Sequence, residues 1–170
     1  MRSPIGVSVL YVRQKIMSQS KQTRIASYAL IRNANEVLLC RLSKQLPKWE
    51  GYWTLSGGGI EFGESPEEAM IREVEEETGL LVAPKSIAKI DTILDRTDKR
   101  EFHGIRIIYE VEIMGGSLRS ELSGTTDLCE WHTIHPNPRI NLVDLAEVGL
   151  DYMQNQQAEQ GSAHQSTTAP

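Results

Sequence analysis

Three glutamates, Glu73, Glu76 and Glu77, sit three and four residues apart in a segment that reads as helix, so their carboxylates share one face within a turn. Like charges at this spacing repel by about 0.2–0.5 kcal/mol per pair. A merely solvated helix relieves such repulsion with interspersed bases, yet residues 58–80 hold eight acids against one base, Arg72. Oxygen ligands gathered in this way suit a hard divalent cation, Mg²⁺ or Mn²⁺. A solvated acidic face is the plainer reading of a charge run taken alone. The reading to be weighed against it is a carboxylate set that binds such a cation.

The element that must carry these acids is marked at both ends. Ser65 and Glu68 form a Ser-x-x-Glu capping box, Pro66 suits the first helical position, and Gly79 is a C-terminal stop. The helix is therefore expected over residues 66–78, with 58–64 as a glycine-rich loop feeding it. Met70, Ile71 and Val74 supply an apolar stripe to pack on a sheet.

The spacing of the whole segment resembles the Nudix box, G-x5-E-x7-R-E-U-x-E-E-x-G-U with U aliphatic. Gly58, Glu64, Arg72, Glu73, Val74, Glu76, Glu77, Gly79 and Leu80 occupy every specified position. Upstream, Gly51, Trp53, Leu55, Gly57 and Gly58 match the family pattern G-x-W-x-L-P-G-G, with Ser56 where the family has proline. That exchange is expected to loosen the turn and to stay clear of the chemistry.

The resemblance implies an α/β fold, an α/β/α sandwich built on a mixed β-sheet. It also implies a hydrolase that cleaves a phosphoanhydride in a nucleoside diphosphate linked to another group. Glu73, Glu76 and Glu77 would then be the catalytic and metal-binding acids, with Mg²⁺ or Mn²⁺ as cofactor. Arg72 would pair with Glu64 to brace the loop against the helix. Arg41, Gly57 and Gly58 would meet substrate phosphate. A downstream acid completes the metal or base set in such proteins, and Asp127 is the candidate here, with Glu121 and Glu130 behind it.

Marks of particular subfamilies are absent: Arg96 stands where some ADP-ribose pyrophosphatases have proline, and residues 81–107 hold no tyrosine of the diadenosine polyphosphate type. A MutT-like hydrolase of nucleoside triphosphates is left. The alternative is a Nudix-fold sensor that binds nucleotides without turnover; such domains often lose box glutamates, and all are present here.

A chain of 170 residues suits one domain. Its net charge is −5, yet the box is so acidic that the rest is slightly basic. That balance speaks against a polyanion-binding surface. The expected partner is a small nucleotide-type substrate, with no nucleic-acid polymer and no membrane, and a homodimer is left open. No apolar run reaches transmembrane length, and the cytoplasm is the expected compartment. Cys40 and Cys129, distant in sequence and in apolar contexts, read as buried reduced thiols.

Along the chain, residues 1–22 read as an extension or an extra edge strand, 23–153 as the domain, and 154–170 as a disordered polar tail. Within the domain, 25–31 and 37–41 read as a hairpin and 81–87 as a connection. Residues 88–94, 102–114 and 128–134 read as strands, and 141–153 as an amphipathic helix. His132 and His135 are expected to be satisfied or surface histidines.

Overall fold

The structure, a computed structural model, describes residues 20–97, 100–120, 123–135 and 139–165, the last six by main chain alone. The edge strand considered within residues 1–22 thus lies almost wholly outside the described residues. One sheet runs in the order β5 (Ser56–Gly59), β1 (Ser20–Leu30), β7 (Arg100–Gly116), β6 (Leu80–Arg96). Strands β1 and β7 are parallel and the other pairs antiparallel, so the sheet is mixed. In the second sheet β3 (Glu36–Leu42) pairs with β2 (Arg32–Asn33), β4 (Trp53–Thr54) and β8 (Thr126–Thr133). Helix α1 (Pro66–Thr78) packs on one side and α2 (Asp144–Gln165) on the other. This is the expected α/β/α sandwich.

Strand alternation divides the core between the two helices. Ala29, Ile31, Leu38 and Cys40 join Met70 and Val74 of α1, while Leu30, Val37 and Leu39 join Leu145 and Leu150 of α2. Met70 and Val74 are fully buried, each contributing about 1.5–3 kcal/mol. Their burial fixes the rotation of α1 and hence the directions of its glutamates.

Four expectations change. The hairpin survives only as the short β2–β3 ladder, because β1 leaves for the other sheet and pairs along its length with β7. Residues 81–87 are not a connection: β6 is continuous from Leu80, its pairing with β7 carried through three register shifts. The polar tail is helical as far as Gln165, and Gln154 Nε2 donates to the Ile134 carbonyl at 3.0 Å. His132 is not satisfied: its buried Nε2 has no hydrogen-bond partner, its ring meets Trp53 edge-on at 4.5 Å, and burial lowers its pKa.

The cysteines also depart from expectation. The antiparallel register of β3 and β8 sets Cys40 opposite Cys129 with Cα atoms 4.1 Å apart, and the two form a disulfide. The bond closes a loop of 89 residues, and a disulfide typically contributes about 2–4 kcal/mol by restricting the unfolded chain. Urea unfolding with a reductant present should therefore show a clearly lower midpoint than without it; coincident midpoints would mean that the thiols are unpaired. Among the described residues no helix is long and apolar enough to cross a membrane.

Candidate functional site

Helix α1 begins and ends as its sequence dictates. Ser65 Oγ accepts from Glu68 N at 3.2 Å and the Glu68 carboxylate accepts from Ser65 N at 2.8 Å, completing the capping box. At the other end Gly79 adopts φ 71° and donates to Glu75 O at 2.9 Å. Arg119, arriving from beyond β7, donates Nη2 to Glu75 O at 3.3 Å and its main-chain N–H to Thr78 O at 2.8 Å, so last-turn carbonyls find tertiary partners.

Arg72 is the hub of the acidic face. It grips Glu64 with two parallel bonds, Nε to Oε1 at 2.7 Å and Nη2 to Oε2 at 3.0 Å. Nη1 reaches Glu73 Oε1 at 2.9 Å and Glu76 Oε2 at 3.4 Å, and Nη2 also donates to the Gly59 carbonyl at 3.2 Å. One guanidinium thus ties the glycine loop to the helix, as expected for Arg72 and Glu64, and steers two further carboxylates. The Arg72 bond, followed by one from Glu61 N, holds the Glu64 carboxyl down at about 2, against an ordinary value of 4.5. A depressed carboxylate stabilises the fold above its unfolded value and loses that contribution as pH falls through its folded value. The stability advantage of wild type over Glu64→Gln should therefore be constant above about pH 4.5 and close toward pH 2. An acid-unfolding series checks this; a gap that does not change with pH would place Arg72 elsewhere.

The three glutamates do not share one environment. Glu76 points outward, its side chain 56% exposed. Glu77 falls on the buried side of α1 with Met70 and Val74. There it accepts from Ser56 Oγ at 2.7 Å and Gly57 N at 3.0 Å through Oε2, and from Thr126 Oγ1 at 3.4 Å through Oε1. Ser56 was expected to stand apart from the chemistry, yet its hydroxyl holds a candidate ligand, a bond that proline could not make. Glu73 lies over Gly58 so closely that a Cβ there would come within 2.5 Å of its carboxylate. On the other face of the same strand a Cβ on Gly59 would meet Arg24 Nη2 at 2.6 Å. The bare strand β5, at the edge of its sheet, therefore passes between a carboxylate and a guanidinium.

Arg41 and Asp127, assigned separately to phosphate and metal, bind each other: Arg41 Nε donates to Asp127 Oδ1 at 2.8 Å, and both side chains are more than a third exposed. Glu130 is exposed on β8, and Glu121 lies outside the described residues. Among the described residues no three His, Cys, Asp or Glu side chains converge closely enough to hold an ion as they stand. The donors still fit a hard cation in kind, since Glu64, Glu73 and Glu76 share a single neutralising guanidinium and Glu77 adds a further carboxylate on the same helix. Sequence reading missed Arg24, Ser56 and Thr126. Only the fold brings Arg24 and Thr126 to the box, so no local signal announces them, while Ser56 adjoins the box but meets its partner Glu77 from 21 residues away.

The sequence profile of the NUDIX domain matches residues 22–158. An ADP-ribose pyrophosphatase of Methanocaldococcus jannaschii is 33% identical over 96 residues, covering 56% of this chain and 54% of that protein. Nucleoside triphosphatase NudI of Escherichia coli is 48% identical over 50 residues, 29% of this chain and 36% of that protein. The matches thus span about half or a third of these curated relatives. Among solved structures, the MutT protein from Methanosarcina mazei Go1 has a TM-score of 0.63 at 26% identity, covering 84% of this chain and 99% of that one. A MutT NUDIX hydrolase from Burkholderia pseudomallei shares the fold, with a TM-score of 0.64 at 22% identity over 77% of this chain and 98% of that one.

Proposed function

Because the chain belongs to the NUDIX domain family, we propose that it is a hydrolase of phosphoanhydride bonds in nucleotides, MutT-like in acting on nucleoside triphosphates, and dependent on Mg²⁺ or Mn²⁺. The observation that carries this reading is the set of carboxylates ordered by Arg72 beside the bare strand β5. A single-sided solvated helix has no need of such ordering.

Glu73, Glu76 and Glu77 would hold the cation, with Asp127 available once released from Arg41. When bound, the ion supplies charge stabilisation to the phosphoryl oxygens as the bond to the leaving group lengthens. The rest falls to the chain. Gly57 and Gly58 carry no side chain, which would let substrate phosphate approach the strand closely. Glu73, bonded to Arg72, would be either a further ligand or the base that takes the proton of the attacking water. The water oxygen bonds to phosphorus, the anhydride bond breaks, and a nucleoside phosphate is one product. Arg41 would exchange Asp127 for substrate phosphate. The relatives named above include both an ADP-ribose pyrophosphatase and a nucleoside triphosphatase, so the panel that tests the reading must contain both substrate types. The proposed partner is this small substrate, with neither nucleic-acid polymer nor membrane required.

Turnover of at least one panel member should appear with Mg²⁺ or Mn²⁺ and vanish in excess chelator, scored by chromatography of the nucleotide products. Undiminished turnover in chelator would sink the metal-dependent reading, and no turnover of any member would sink the hydrolase.

A further inference from the structure

Strand β6 ends the sheet ordered β5–β1–β7–β6, and among the described residues only β7 pairs with it. Alternate residues of such an edge turn their N–H and C=O groups to an unoccupied side, a template on which another strand can add. Helix α1 packs on the beginning of β6, at Leu80 and Val82. The far half, from Lys89 to Arg96, pairs residue by residue with β7 and contains no register shift.

The side chains of this regular half are the informative part. Alternation sets Ile90, Thr92 and Leu94 on one face and Lys89, Asp91, Ile93 and Asp95 on the other. Ile90 and Leu94 are 61% and 53% exposed. An edge defended against association carries proline and lysine. Pro84 and Lys85 defend the beginning of β6 in that way, but they precede the last register shift, and the apolar residues beyond it stay open.

A second copy added antiparallel about a two-fold axis makes each pair of opposed residues occur twice, both members on one face. Few registers then suit the regular half. Centred on Asp91 or on Ile93, the ladder opposes Asp91 to itself or to Asp95, like charge against like. Centred on Ile90, it runs into the register shift between Ile87 and Lys89 and calls on Asp91, which is committed to Arg106. Centred on Thr92, it sets Lys89 opposite Asp95, Ile90 opposite Leu94, Asp91 opposite Ile93, and Thr92 opposite its own copy. Asp95 meets Arg100 of its own chain at a long 3.8 Å and is 44% exposed, so it can receive a second cation.

We propose that β6 is a self-association edge, which pairs with β6 of a second copy in the register centred on Thr92 and joins two four-stranded sheets into one. Lys89 and Asp95 select the register, and Ile90 with Leu94 of both copies closes an apolar seam on one face. Strand β5, with its glycines, lies at the opposite edge of each sheet. The two candidate hydrolase sites therefore stand at the outer ends of the dimer, and neither borrows a residue from the other copy.

The test is sedimentation equilibrium of the full chain. Wild type at about 100 μM should sediment at twice the 19.1 kDa chain mass, as a micromolar dissociation constant gives. Lys89→Asp and Asp95→Lys each turn both ion pairs into like-charge contacts, and each should raise that constant at least about tenfold. Mixed in equal amounts, the two variants should associate again, because each carries the charge that the other lacks. Circular dichroism checks that both are folded. Thr92→Cys should link two chains through a disulfide when oxidised glutathione is added, since directly opposed Cα atoms lie about 4.5–5.5 Å apart. Leu94→Cys should not, because its counterpart stands four residues along the other strand, about 13 Å away. A monomeric wild type would overturn the inference, and if it instead binds an extended peptide of another protein, the edge serves a foreign strand. Single variants that associate as wild type does, a mixture no more associated than its components, or equal linkage at both cysteine positions would overturn it too.

Discussion

Glu76→Gln is expected to lower the turnover of the best substrate by at least about 100-fold, a barrier increase near 2.7 kcal/mol, while leaving stability almost unchanged. The stability half follows from exposure. Glu76 is more than half exposed and reaches Arg72 only at 3.4 Å, an interaction worth roughly 0–0.5 kcal/mol at such a site. Removing its charge also relieves repulsion from Glu73 and Glu77, of opposite sign and similar size. The rate half follows from the proposed role as a metal ligand, since charge stabilisation by the ion contributes several kcal/mol in the transition state. Glu77→Gln would be a poor substitute, because Glu77 is buried and holds Ser56 and Gly57, so fold and rate would change together. If Glu76→Gln turns over within about threefold of wild type, the outward carboxylate is a solvated charge and does no catalysis.

How far the sequence revealed these elements depends on the range of the interactions that make them. Helix α1 is bounded by contacts three and four residues long, Ser65 with Glu68 and Gly79 with Glu75, and such contacts can be read from spacing. The box was legible through its resemblance to a family motif, and with it the Arg72–Glu64 bond across eight residues. Strand β6 was not. Most of its length is exposed or half-exposed, so it lacks an alternating core face, and Pro84 and three register shifts interrupt it. Only its long partner β7 makes it a strand. The disulfide joins residues 89 apart that meet solely through the β3–β8 register, and neither cysteine announces the other. Residues 154–165 read as tail because they lack apolar groups, yet glutamine and alanine continue a helix readily once α2 has been nucleated on the core. Ser56 was misjudged because its partner Glu77 lies on the buried side of the helix, whereas it had been placed on one face with Glu73 and Glu76.

Gly57→Ala should destabilise the fold by about 3–5 kcal/mol, combining backbone strain with overpacking against atoms that cannot move aside. Gly57 has φ 138°, a conformation that alanine adopts at a cost, but strain is the smaller part of the argument. A Cβ there would press on the Ser27 carbonyl and lie 2.6 Å from Tyr28 Cα, both main-chain atoms of the paired strand β1. Relief would require β5 to separate from β1, carrying the Gly57 N–H away from Glu77, which accepts from it at 3.0 Å. Gly63 supplies the comparison. Its φ of 94° is also left-handed, but a Cβ would meet nothing within 4 Å. Gly63→Ala should therefore cost only the conformational term, about 1–2 kcal/mol. Urea unfolding of the two variants beside wild type separates strain from contact. If Gly57→Ala proves no more costly than Gly63→Ala, then β1 and β5 are not held at this distance, and the bare strand on which the proposed phosphate path depends is not clamped between them.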